Sequence, residues 1–202
     1  MRNRETEVKI RIPSARALRT RLKRLGFVPL HRKALEDNVL YDTPERALRR
    51  GRSILRMRRY GSTWLLTYKG MPQDDPHYKS RLELESELKQ TQAMEAIFRA
   101  LGLVPVFRYQ KYRTQYTLPG NKTRGRPAFE VAIDETPIGD FMEIEGSRRT
   151  IDKVARALGY SRSDYSTASY GSLYLEDCAR KKIPPGDMVF AGGARRKGDS
   201  TQ

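Results

Sequence analysis

The chain has 202 residues, of which 40 are Lys or Arg and 24 are Asp or Glu, and its formal charge of +16 favours a polyanionic partner. No run approaches the roughly 20 apolar residues of a membrane span, and no apolar core follows the first five residues, so neither a membrane protein nor a signal peptide is expected. The single cysteine, Cys178, excludes an internal disulfide, a Cys-rich zinc site and an iron–sulfur cluster.

Cys178 reads as a small apolar filler in a soluble, cytoplasmic protein. The two histidines, His31 and His77, lie in loop-like surroundings. Chemistry must therefore rest mainly on carboxylates, Lys and Arg, with a metal as a candidate addition.

Residues 4–12 alternate as a strand does, with Glu5, Glu7, Lys9 and Arg11 on one face and Val8, Ile10 and Ile12 on the other. An amphipathic helix follows from Ser14 through Leu18, Leu22 and Leu25 to a glycine stop at Gly26. Strand-length runs are predicted at 36–42, 53–60 and 63–70; Arg56 and Arg58 oppose Leu55 and Met57, and Lys69 opposes Leu66 and Tyr68. Residues 80–88 set Arg81, Glu83, Glu85 and Glu87 against Leu82, Leu84 and Leu88.

A second helix runs from Thr91 to Gly102, and further strands are expected at 107–118, 128–134 and 141–146. On these, Lys111 and Arg113 oppose Tyr112, Glu130 and Asp134 oppose Val131 and Ile133, and Glu143 and Glu145 flank Ile144. A third helix carries Ile151, Val154 and Leu158 before Gly159, and a short fourth spans about 168–178. The domain is expected to occupy 1–178 and a basic, disordered tail 179–202, rich in Pro and Gly from Pro184 onward and including Arg195 to Lys197.

One wet face of an antiparallel sheet explains any single strand. It does not explain ionisable groups concentrated on most strands, with few Thr, Ser or Gln among them. The fold class is therefore α+β with a large, mostly antiparallel sheet, and about eight strands can close into a barrel that turns one face into a lumen. A lumen so charged is too costly to be dry. Its Glu pairs at two-residue spacing suit Mg²⁺ or Mn²⁺, its Lys and Arg suit phosphate oxygens, and a polyphosphate with metal would neutralise both. Leu25-Gly26-Phe27-Val28-Pro29 recurs as Leu101-Gly102-Leu103-Val104-Pro105, which suggests two copies of a strand–helix–three-strand unit.

In this order the charged segments resemble the CYTH family, the triphosphate tunnel metalloenzymes, which comprise class IV adenylate cyclases, thiamine triphosphatases and inorganic triphosphatases. The matching segments are Glu5-Thr6-Glu7-Val8-Lys9, Tyr41-Asp42-Thr43-Pro44, Leu55-Arg56-Met57-Arg58, Leu66-Thr67-Tyr68-Lys69-Gly70, Arg81-Leu82-Glu83-Leu84-Glu85, Lys111-Tyr112-Arg113, Ile133-Asp134-Glu135 with Glu143-Ile144-Glu145, and Ser169-Tyr170 with Leu173. Together they span about residues 5 to 175.

The resemblance implies an eight-stranded antiparallel tunnel with helices outside. It implies Glu5, Glu7, Glu143 and Glu145 as ligands of Mg²⁺ or Mn²⁺, with Asp134 a further candidate. Lys9, Arg56, Arg58, Lys69, Arg81, Lys111 and Arg113 would hold the triphosphate. One of Glu83 and Glu85 would hold metal or water, or both would pair with neighbouring arginines; with Glu5, Glu7 and Lys69 they form the expected catalytic set. Tyr170 reads as a helix anchor.

Attack by water on the terminal phosphate would make a triphosphatase, and attack by a ribose 3′-hydroxyl on the α-phosphate a cyclase. No motif marks a base-binding pocket, and Asn3-Arg4 stands where some cyclases carry His-Phe. The expectation is hydrolysis of a triphosphate such as tripolyphosphate, ATP or thiamine triphosphate, with adenylate cyclase as the alternative. A non-catalytic polyphosphate or nucleic-acid binder is the rival from another class; nucleic acid is disfavoured because the glutamates sharing the basic faces would repel it. A homodimer is left open.

Overall fold

The computed structural model describes residues 4–123 and 126–192. In chain order the elements are β1 (Arg4–Ile12), α1 (Ala15–Arg24), β2 (Val28–Asp42), α2 (Ala47–Arg50), β3 (Ile54–Tyr60), β4 (Thr63–Lys69), β5 (Lys79–Leu88), α3 (Thr91–Ala100) and β6 (Val104–Thr117). There follow a small hairpin of β7 (Lys122–Thr123) and β8 (Arg126–Pro127), then β9 (Glu130–Thr136), β10 (Gly139–Glu145), α4 (Arg148–Ala157), a 3-10 turn (Arg162–Asp164) and α5 (Tyr170–Lys181).

Eight strands close into an antiparallel barrel in the order β1-β10-β9-β6-β2-β3-β4-β5, as expected. The predicted duplication is visible in the element order: β1-α1-β2-β3-β4 and β5-α3-β6-β9-β10 are two strand–helix–three-strand units. Exchanging the units strand for strand maps the barrel order onto itself. The echoed Leu-Gly segments are helix stops, because Gly26 (φ 81°) and Gly102 (φ 74°) turn left-handed and the next residue bonds back, Phe27 N–H to Leu22 C=O at 3.0 Å and Leu103 N–H to Phe98 C=O at 2.8 Å.

The barrel is polar inside and apolar outside, so helices must cover its outer face. Val8, Ile10, Val131, Ile133, Met142 and Ile144 pack against Leu18 and Leu22 of α1, Ile151 of α4 and Leu158 at its C-terminal cap. Phe98 of α3 covers Val39, Tyr41 and Met57. Tyr170 of α5 joins Tyr109, Ile138, Phe141 and Met188. Each such side chain contributes about 1.5–3 kcal/mol by leaving water, and Leu22→Ala is expected to cost about 2–5 kcal/mol. Cys178 is buried and free, as a filler should be.

Three expectations need correction. β2 begins at Val28 rather than 36, so His31 lies exposed in a strand, not a loop. Pro29 and register shifts beside His31 hide that stretch from a pattern reading, yet it pairs with β6 almost throughout. The chain beyond 178 is also partly packed: α5 continues to Lys181, Met188 is 1% exposed, and it bonds to β6 through Met188 N–H to Arg108 C=O (3.0 Å) and Gln110 N–H to Met188 C=O (2.8 Å). Arg195 to Lys197 lie outside the described residues. Among the described residues no helix is long and apolar enough to cross a membrane.

Candidate functional site

Strand alternation turns the charged faces into one central chamber of about 1710 Å³. Of the fourteen side chains singled out from the sequence, thirteen line it, and Asp134 does not. The chamber is also bordered by Ser147 at the start of α4 and by Ser169 at the start of α5, helix ends whose N–H groups favour anions.

Asp134 lies behind the wall, 0% exposed. Its carboxylate accepts from Lys111 Nζ (3.0 Å), from Arg113 Nε (2.7 Å) and a second Arg113 nitrogen (2.6 Å), and from Tyr170 Oη (2.5 Å). Four donors leave it little capacity to serve as the metal ligand it was expected to be; it orients cations. Glu143 is similarly engaged, pairing with Lys9 Nζ at 2.9 Å and with Arg113. Burial opposes its ionisation, but Lys9 and Arg113 hold it well below the usual carboxylate range.

A residue missed in the sequence completes this wall. Glu36, 1% exposed, accepts from Arg58 at 3.1 Å and stands 3.4 Å from Lys111 Nζ and 3.8 Å from Arg113 Nε. Against the penalty of burial, Lys111, Arg113 and Arg58 keep it far below the usual carboxylate range. Alternation would have found it, since it lies on the face opposite Val39 and Tyr41. Tyr170 is more than an anchor: besides bonding Asp134, its ring lies 4.3 Å from Lys9 Nζ and 5.0 Å from Lys111 Nζ.

The region around β1, β5 and β10 differs. Burial, then the nearby Glu145 and Glu83 carboxylates, push Glu5 up to about 9, and Glu5 shares a hydrogen bond with Glu83. Burial, then Glu7 and Glu130, push Glu145 up to about 7. Glu83 also pairs with Lys69, while Glu85 accepts from Arg58 and Thr67 at 2.9 and 2.8 Å. Glu130, the cross-strand neighbour of Glu145, was placed on the charged face but not in the site.

Among the described residues no three carboxylate or imidazole groups form a ready-made ligand shell. Glu5, Glu83 and Glu145 nonetheless crowd like charges, so that Glu5 and Glu145 are pushed up while Lys69 and the hydrogen bond from Glu5 hold Glu83 down, and hard oxygens so placed suit Mg²⁺ or Mn²⁺. The Asp42 of Tyr41-Asp42-Thr43-Pro44 is structural, because its side chain accepts the N–H groups of Thr43, Leu48 and Arg49 at 2.8–2.9 Å and fixes the turn into α2.

The model of the CYTH domain family matches residues 3–170. A relative, the adenylate cyclase candidate MJ0240 of Methanocaldococcus jannaschii, is 28% identical over 180 residues, covering 84% of this chain and 97% of that one. The PH1819 protein of Pyrococcus horikoshii superposes with a TM-score of 0.68 at 26% identity, covering 86% and 99%. HpAC1 from Hippeastrum, an adenylyl cyclase candidate described as revealing a dominant triphosphatase activity, has the same fold with a TM-score of 0.60 at 20% identity, covering 90% and 97%.

Proposed function

The chain belongs to the CYTH domain family, and from that premise we propose that it is a divalent-metal-dependent phosphohydrolase acting on a triphosphate. The observation that carries this reading is one chamber face on which proton-sharing carboxylates stand among arginines and lysines. Such a face suits a polyphosphate that arrives with a cation. The activity described for HpAC1 supports hydrolysis.

In this reading Glu5, Glu7, Glu83 and Glu145 hold Mg²⁺ or Mn²⁺, while Glu143 stays with Lys9 and Arg113. When bound, the cation supplies charge neutralisation on phosphate oxygens and lowers the pKa of the attacking water. Arg56, Arg58, Lys69, Lys111 and Arg113 orient the phosphate chain and stabilise charge as it shifts to the leaving group. Water oxygen bonds to the terminal phosphorus as the bridging P–O bond breaks. The proton from water passes to Glu85, which lines the chamber outside the carboxylates assigned to the cation, and the diphosphate leaves with its charge met by the arginines and lysines.

A second reading, conversion of ATP to cyclic AMP and pyrophosphate, is favoured by the name of the Methanocaldococcus relative. Cyclisation needs a held nucleobase. The aromatic side chains lining the chamber among the described residues are Tyr109 and Tyr170, and they already contact Arg56 and the two lysines. The test offers tripolyphosphate, ATP and thiamine triphosphate with Mg²⁺ or Mn²⁺ and follows phosphate, pyrophosphate and cyclic AMP together. Orthophosphate release is expected; cyclic AMP with equal pyrophosphate would move the protein to the cyclases, and no turnover would leave a polyphosphate-binding protein.

A further inference from the structure

Lys79 opens β5 two residues before Arg81, so its side chain turns to the same chamber face, and it is 9% exposed. Other buried ammonium groups of the chamber have a carboxylate close by: Glu143 at 2.9 Å from Lys9 and Asp134 at 3.0 Å from Lys111. Lys79 Nζ stands 3.9 Å from Glu7 Oε1, and an Arg81 nitrogen stands 4.0 Å from the same oxygen. Neither side chain makes a hydrogen bond among the described residues.

Two cations thus share one distant carboxylate oxygen. Lys79 also borders a smaller pocket of about 180 Å³, but the carboxylates there are taken, Asp74 by Arg52 at 2.9 Å and Asp75 by Arg148 at 2.7 Å. A buried ammonium without a bonded anion is destabilising, and folding tolerates it where a ligand supplies the missing charge.

We propose that Lys79 is a phosphate-binding residue that acts with Arg81 beside Glu7. The assignment rests on the triphosphate reading of the chamber. Phosphate oxygens reaching Lys79 and Arg81 would supply the close anion that Glu7, at 3.9 and 4.0 Å, does not. An ammonium bonded to phosphate is a strong, charge-assisted contact.

The test compares wild type with Lys79→Met, which keeps most of the side-chain length without its charge, and with Lys79→Arg. Melting temperature is measured without divalent ions, and the affinities for tripolyphosphate and for orthophosphate are measured by calorimetry under the same conditions, where no turnover intervenes. Lys79→Met should melt no lower than wild type and bind tripolyphosphate about tenfold more weakly, while Lys79→Arg stays within about threefold. A Lys79→Met protein with a lower melting temperature and unchanged affinity for both anions would overturn the assignment and leave the triphosphate reading in place. Wild type that binds orthophosphate through Lys79 but not tripolyphosphate would overturn that reading and keep Lys79 as an anion ligand. Binding of neither anion by wild type would overturn both.

Discussion

The two sides of the chamber differ in how far their charges are settled before any ligand arrives. Around β2, β6, β9 and the facing end of β10, Arg58, Lys111 and Arg113 are tied to Glu36, Asp134 and Glu143 by contacts of 2.6–3.8 Å or closer. Around β1, β5 and the end of β10, Glu5, Glu83 and Glu145 crowd one another, and Lys79 and Arg81 stand about 4 Å from their nearest carboxylate. The first wall is preorganised and fixes the direction of its cations. The second holds unresolved repulsion and desolvation that metal and phosphate together would relieve. A charged tunnel is therefore half scaffold and half receptor.

Glu5→Gln should break the receptor side most severely. Metal-dependent orthophosphate release from tripolyphosphate is expected to fall by about a thousandfold, the effect of several kcal/mol of lost charge stabilisation, while the metal-free protein melts no lower than wild type. A steady-state assay beside a thermal melt checks both halves. If Glu5→Gln unfolds, the carboxylate belongs to the scaffold instead.

Glu36→Ala should do the reverse. It leaves Arg58, Lys111 and Arg113 without a buried counter-charge, a change expected to cost about 3–5 kcal/mol in chemical denaturation. A loss below about 1 kcal/mol would place Glu36 outside the scaffold.

The pH dependence sharpens the contrast with a smaller effect. Glu5 in the folded protein titrates near 9 rather than 4.5, so between those values the folded state holds a proton that the unfolded state releases. This contribution to stability is full below about pH 4.5 and is lost as pH rises through 9; Glu145, raised to about 7, acts in the same sense. The melting temperature of the metal-free protein should therefore decline from about pH 5 to pH 9, less steeply in Glu5→Gln. An unchanged slope in the variant would show that Glu5 carries no retained proton.

Much of this was legible in the sequence wherever a single strand decides the outcome. Glu5, Glu7 and Lys9 share a face because strand side chains alternate, and no knowledge of the partner strand is needed. Asp134 shows where that logic stops. Alternation places it inward, but whether an inward carboxylate meets solvent or cations depends on Arg113, its cross-strand neighbour from β6, and on Tyr170 from a distant helix. Glu36 and Lys79 stand at or just beyond the ends of the runs read as strands, where pairing rather than composition sets the boundary. The packing of Met188 was hidden for a related reason, since one apolar side chain and backbone pairing with β6 give almost no periodic signal.

The most direct test of the half-scaffold, half-receptor account is calorimetric titration of Mn²⁺ into the metal-free protein at pH 7 in buffers of different ionisation enthalpy. The account predicts binding with release of about one proton, because the cation displaces protons retained on Glu5 and Glu145, and it predicts loss of most of that release in Glu5→Gln. Binding without proton release, or release unchanged in Glu5→Gln, would contradict it.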